Sequence, residues 1–131
     1  MLEDYKILVV DDSPELRKSI TAVLRYHNAD VREASNGNDG LAMALQERPD
    51  VIITDLMMQH HSGIWLIEAL RAHESTSSLP VMAMSADIIS LMNCPPGCIR
   101  VSKPFKVDRF ISVLAQTLAE HAPTNRQARA Q

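Results

Sequence analysis

Short, almost wholly apolar runs alternate along the chain with longer stretches whose apolar residues recur at helical spacing. Lys6–Val10 (KILVV), Val51–Thr54 (VIIT) and Pro80–Met84 (PVMAM) are nearly continuous apolar runs, as strands buried on both faces require. Ala29–Ala34 (ADVREA) and Ile99–Val101 are weaker strand candidates. Between the first two runs, Ser13 can cap a helix that has Pro14 at its first position, and Leu16, Ile20, Val23 and Leu24 then form one apolar face. Asn36-Gly37 marks a turn before a second helix with Leu41, Ala44 and Leu45 inward, which ends near Pro49. A third helix, from Gly63 to His73, turns Ile64, Ile67 and Leu70 inward and leaves Glu68 and Arg71 solvated. The last, near Lys106–Glu120, carries Phe110, Ile111, Leu114 and Leu118. Strands alternating with helices predict an α/β domain with a parallel sheet.

Between Ser85 and Lys103 only 17 residues intervene, and Asp87–Asn93 (DIISLMN) runs into Cys94-Pro95-Pro96-Gly97, which cannot continue a helix. The fourth helix should therefore be short or missing. The domain is expected to occupy residues 1–120. Residues 121–131 (HAPTNRQARAQ), with no acid and no apolar period, are expected to be a disordered tail or a linker stub.

Composition narrows the function classes. A chain of 131 residues with 46% hydrophobic and 22% charged residues fits one globular domain. No apolar run reaches the roughly 18 residues of a membrane span, and Ile7–Val10 stops at two aspartates where a signal peptide would have a cleavage site, so a cytoplasmic location is expected. All 16 acidic residues fall in positions 1–120 against 11 Lys or Arg, a net −5 that argues against direct nucleic-acid binding. Cys94 and Cys98 are too few for a disulfide framework, and neither a disulfide nor half of a zinc site is the favoured reading of that pair. His60-His61 reads as a solvated loop pair rather than as metal ligands.

Ligands of open parallel sheets collect beyond the carboxyl ends of the strands. Here those ends carry Asp11-Asp12, Asp55, Ser85 and Lys103-Pro104. Singly, Asp12 and Ser13 read as helix caps, Asp55 as a turn residue and Lys103 as a solvated charge. Jointly they bring three carboxylates, a hydroxyl and an ammonium to one rim. Clustered carboxylates repel unless a cation neutralises them, and a hard oxygen site with few protein ligands suits Mg²⁺, which keeps several waters.

The combination resembles the receiver domain of the bacterial two-component response-regulator family: paired acids after the first strand, an acid followed by Leu56-Met57-Met58, Ser85-Ala86 after the fourth strand, and Lys103-Pro104 after the fifth. The resemblance covers about residues 5–120. It implies a flavodoxin-like (βα)5 three-layer sandwich with strand order 2-1-3-4-5. It further implies that Asp55 accepts a phosphoryl group from a phosphohistidine, and that Asp12, Asp55, the Met57 carbonyl and Asp11, directly or through water, hold Mg²⁺. Ser85 and Lys103 would bind the phosphoryl oxygens, and small Ala86 would leave them room. Lys103-Pro104 matches a position where the family's peptide is cis. The implied partners are a histidine kinase or histidine phosphotransfer protein and a downstream protein target, with room for a homodimer.

Three departures stand out. Gln59 replaces the proline usual four residues after the phosphoacceptor, so the loop should be less rigid. Arg100 stands where the family commonly has Tyr or Phe, a ring that moves inward on phosphorylation. Costly to desolvate, Arg100 should stay at the surface or pair with an acid. The shortened fourth helix, led by Ala86 and Asp87, alters the output surface. A pseudo-receiver that signals by contact alone is the alternative reading. An aspartyl-phosphate hydrolase is disfavoured because Met57 stands where its second acid would be, and a flavin carrier because the first strand leads into acids rather than a phosphate loop.

Overall fold

The computed structural model describes residues 2–59 and 61–121. The elements run β1 (Lys6–Val10), α1 (Pro14–Tyr26), β2 (Asp30–Ala34), α2 (Gly37–Gln46), β3 (Val51–Asp55), α3 (Gly63–Ala72), β4 (Val81–Ser85), α4 (Ile88–Met92), β5 (Ile99–Ser102) and α5 (Val107–His121). A short 3-10 turn, Glu74–Thr76, follows α3. All strand pairs are parallel, in the order β2-β1-β3-β4-β5, as the resemblance implied.

The burial of each strand follows from its place in that order. Central β3 and β4 are buried at every position and β1 at all but its first, whereas edge strands β2 and β5 keep exposed positions. Successive residues of β1 feed two separate cores. Ile7 and Val9 pack with Ile20 and Leu24 of α1 and with Phe110, Ile111, Leu114 and Leu118 of α5. Leu8 and Val10 pack with Ala44 of α2, Leu66, Ile67 and Leu70 of α3, and Leu91 of α4. The three layers are therefore α1/α5, sheet and α2/α3/α4. Cys94 and Cys98 are buried free thiols in the second core, where burial first and then the neighbouring Cys98 push the Cys94 thiol up to about 11.

Caps set the helix starts. Ser13, Asn36, Ser62 and Asp87 each accept a backbone N–H of the first turn, and Pro14 opens α1. The fourth helix is a single turn of 5 residues, as its proline-bounded segment requires.

Some expectations need correction. Leu45 is exposed, and α2 instead turns Gly37, Gly40 and Ala44 inward. A Cβ on Gly40 would stand 2.9 Å from Val10 Cγ2, so the helix lies too close to the sheet there for a side chain. Arg71 is half-buried rather than fully solvated, and its guanidinium donates to the Leu79 carbonyl at 2.7 Å. His121 closes α5 rather than opening the tail, while 122–131 and His60 lie outside the described residues. No helix among the described residues is long and apolar enough to cross a membrane.

Candidate functional site

The register brings the strand ends to one edge. Val10 pairs with Thr54, Asp55 with Met84, and Ser85 with Ser102, so the residues that end or follow β1, β3, β4 and β5 share the carboxyl rim. Asp55 and Ser85 belong to their strands' last ladder positions and are buried, which fixes their backbones more firmly than a loop would. The peptide Lys103-Pro104 is cis, and Lys103 N–H donates to the Ser85 carbonyl at 2.9 Å, joining the ends of β4 and β5.

Asp55 is the centre of the polar contacts. Its Oδ2 accepts from Lys103 Nζ at 2.7 Å and its Oδ1 from the Met57 N–H at 2.9 Å. Both partners of the ion pair are largely shielded from water, where such a contact is stronger than on the surface. Asp11 is fully buried. Its Oδ1 accepts from Ser13 N–H at 2.9 Å, and its Oδ2 is the buried side-chain oxygen or nitrogen without a protein partner among the described residues. Burial raises the Asp11 pKa above the ordinary carboxylate value, opposed by the Ser13 N–H and reinforced by the charge of Asp55; Lys103 lowers it and Asp12 raises it further. Asp12, half-buried, accepts from Gln59 N–H through Oδ2 at 3.1 Å.

Ser85 Oγ accepts from Asp87 N–H at 3.0 Å, and Asp87 Oδ1 in turn accepts from Ile89 N–H at the start of α4. Ser90 Oγ donates to Asp87 Oδ2 at 2.9 Å and also lies 3.2 Å from Met57 Sδ. Ala86 is exposed at the rim. Arg100 stands apart from this cluster. Its side chain is exposed and donates to the carbonyls of Leu91 and Cys94, each at 2.9 Å, so it ties down the end of α4 instead of meeting an acid. His61 is half-buried, its ring stacked on Trp65 at 3.9 Å, and so is not the free loop residue expected.

Two positions escaped the sequence reading. Gly63 opens α3 directly behind the site: a Cβ there would stand 2.3 Å from the Asp55 carbonyl oxygen and 2.8 Å from Leu56 Cα. Arg17 Nη1 donates to the Asp11 carbonyl at 2.6 Å while its Nε pairs with Glu33, which anchors the loop that carries the paired acids. Gly63 could have been suspected from its place just after a cap residue; nothing in the sequence pattern marks the Arg17 contact.

The donor set fits a hard divalent cation. An acidic oxygen buried without a partner, beside two further carboxylates and one ammonium, is unfavourable unless positive charge is added. Among the described residues no group of three or more His, Cys, Asp or Glu side chains is arranged to hold a metal unaided.

A parallel 2-1-3-4-5 sheet with an acidic rim at the carboxyl ends of its strands defines a flavodoxin-like α/β domain with a candidate cation site, and comparison with known proteins makes the family specific. The model of the response regulator receiver domain matches residues 7–94, and the chain belongs to that family. It is 40% identical over 80 residues to Protein PilH of Pseudomonas aeruginosa, covering 61% of this chain and 66% of PilH. It is 31% identical over 130 residues to the probable transcriptional regulatory protein TcrX of Mycobacterium tuberculosis, covering 95% of this chain and 54% of TcrX. The chain thus spans between about half and two thirds of these relatives. Among solved structures, the receiver domain of the sensor histidine kinase PA1611 from Pseudomonas aeruginosa, which has a magnesium ion coordinated in its active site cleft, superposes with a TM-score of 0.82 at 25% identity, covering 88% of this chain and 98% of that one. A response regulator from Chloroflexus aurantiacus gives 0.80 at 25% identity over 89% of this chain and 99% of that one.

Proposed function

We propose that the domain accepts a phosphoryl group on Asp55 from the phosphohistidine of a histidine kinase or phosphotransfer protein, in a Mg²⁺-dependent reaction, and signals through a protein contact that the modification alters. The observation that carries this reading is the 2.7 Å contact of Lys103 Nζ with Asp55 Oδ2 beside the unpartnered Asp11 Oδ2. An acidic nucleophile, a fixed cation and a place for a second cation are what in-line phosphoryl transfer requires.

In the transfer, a carboxylate oxygen of Asp55 forms a bond to phosphorus as the phosphorus–nitrogen bond of the donor breaks, and the imidazole leaves with the electron pair. Met57 N–H holds Asp55 Oδ1 and so fixes the plane of the carboxylate. Lys103 can pass its hydrogen bond from Asp55 to a phosphoryl oxygen with little movement, because its backbone is pinned to Ser85. Asp11, Asp12 and Asp55 with the Met57 carbonyl would hold Mg²⁺. When bound, that ion neutralises the carboxylates and the charge of the transferring group. Ser85 Oγ, now an acceptor from Asp87 N–H, can donate its proton to a phosphoryl oxygen, and exposed Ala86 leaves that approach open. A turn of Ser85 toward the phosphoryl group would give up the Asp87 N–H contact and loosen the residue that caps α4, which gives Asp87 and Ala86 a part in the output. A kinase of this class would place the domain in the cytoplasm, and the modified α4–β5 surface would meet the downstream protein or a second copy.

Incubation of the chain with a small acyl phosphate and Mg²⁺, read by intact mass, should add one phosphoryl group to wild type and none to Asp55→Asn. Equal labelling of both would place the acceptor elsewhere. No labelling of wild type by either a small donor or a phosphorylated histidine protein would leave an interaction module that does not use phosphorylation.

A further inference from the structure

Each of the three rim carboxylates has one oxygen held by a backbone N–H: Asp11 by Ser13, Asp55 by Met57 and Asp12 by Gln59. The first two contacts are local, two residues along the chain, and follow from the turn in which each aspartate sits. The third joins residues 47 apart, tying the loop after β1 to the loop after β3. It exists only because residue 59 is not proline, which has no N–H to give. The departure expected to loosen this loop therefore also supplies a tether.

We propose that the Gln59 backbone N–H is a positioning group for the divalent cation. By holding Asp12 Oδ2 it sets the carboxylate plane and leaves Oδ1 for the metal, and it makes the β3–α3 loop part of the metal site. The inference rests on the Mg²⁺ reading above. Without the tether, Asp12 is a half-buried side chain at the head of a loop, and binding would have to freeze its rotamer. Partners that orient metal-ligating carboxylates are generally worth 10–100-fold in affinity. Gln59 is exposed, so competition from water puts the effect at the lower end, about tenfold. The coupling is reciprocal: if the tethered loop favours the cation, the cation favours the tethered loop. Trp65, the single tryptophan, lies three positions into α3 and stacks on His61 of the same loop, so it is placed to report the change.

The test is a titration of Mg²⁺ alone into the full chain, followed by Trp65 fluorescence and by calorimetry, for wild type, Gln59→Ala and Gln59→Pro. Gln59→Ala keeps the N–H and should bind as wild type does, whereas Gln59→Pro lacks it and should bind about tenfold more weakly. Equal affinity of Gln59→Pro and wild type would overturn the inference. So would a Gln59→Ala loss as large as the proline's, since the side chain would then be responsible. If thermal unfolding without metal shows that Gln59→Pro folds poorly, hydrogen exchange decides on wild type alone: Mg²⁺ should slow exchange of the Gln59 amide, and unchanged exchange would refute the tether. A wild type that binds no Mg²⁺ would instead overturn the metal reading itself, a failure visible before any variant is compared.

Discussion

Replacing Asp11 with Asn should stabilise the metal-free domain while removing its response to Mg²⁺. The Asn carbonyl can still accept the Ser13 N–H, and the new amide puts a neutral donor where the unpartnered Oδ2 is, a position that feels the negative charges of Asp55 and Asp12. An unsatisfied buried polar group costs about 1–3 kcal/mol, and more when charged. For a domain between the small and medium size ranges, 1 kcal/mol moves the melting temperature by about 4 °C, so the gain should be about 4–12 °C in chelator. The pH dependence has a definite sign. The folded pKa of Asp11 lies above the ordinary 3.8, so the native state holds this proton more tightly than the unfolded chain does. The stabilisation that the proton gives is complete below 3.8 and is lost as pH rises through the folded value, so the advantage of Asp11→Asn should open over that window and then level off. With Mg²⁺ at 100 times its dissociation constant, wild type should gain about 2.7 kcal/mol and the variant much less. Circular dichroism melts of both proteins, with chelator and with Mg²⁺, at several pH values, give all of these quantities. An Asp11→Asn protein less stable than wild type in chelator at neutral pH would refute the premise that this carboxylate is strained without a cation.

Gly63→Ala should lower stability by about 1–3 kcal/mol in urea unfolding, because its Cβ would meet the Asp55 carbonyl oxygen at 2.3 Å and the main chain has little room to retreat. Arg100→Ala should cost about 1 kcal/mol at most and speed hydrogen exchange at Leu91–Cys94 without changing that of β3, since it removes two contacts confined to the end of α4. A beryllofluoride mimic of the phosphoryl group should shift the amide signals of Ser85–Asn93 more than that of Arg100, and the reverse order would make Arg100 the moving part. Iodoacetamide should leave Cys94 almost unmodified in the folded protein at neutral pH, because the thiol is buried and its pKa is pushed up to about 11, and labelling should follow unfolding in urea.

The parts of the fold legible in sequence are those where hydrophobicity alone decides the answer. Strands β1, β3 and β4 read as apolar runs because both faces are covered, and the α5 face read correctly because Phe110, Ile111, Leu114 and Leu118 meet one core. The inward face of α2 was not legible: close approach to Val10 selects Gly40, and a residue without a side chain leaves no hydrophobic signal. Strand ends were read one residue short at Asp55, Ser85 and Ser102, since a backbone ladder continues regardless of the polarity of its side chains. At the rim, the side chains Asp11, Asp12, Asp55, Ser85 and Lys103 could be named from their positions after apolar runs. The groups that hold them could not, because the N–H of Ser13, Met57 and Gln59 and the carbonyls bound by Arg17 and Arg100 are backbone atoms common to every residue.

The contact between Ser85 Oγ and Asp87 N–H sets the gain of the proposed switch. The Ser85 backbone is held by its ladder pairing with Ser102 and by the Lys103 N–H on its carbonyl, which leaves the hydroxyl as the part that can respond. What it gives up is one neutral hydrogen bond, worth about 1 kcal/mol net, or about a fivefold change in the balance between two arrangements of α4. A signal that small cannot drive an all-or-none transition from a heavily biased resting state. The domain would act as a graded modulator, its output proportional to the modified fraction and decisive only for a target whose own affinity lies near the prevailing concentration.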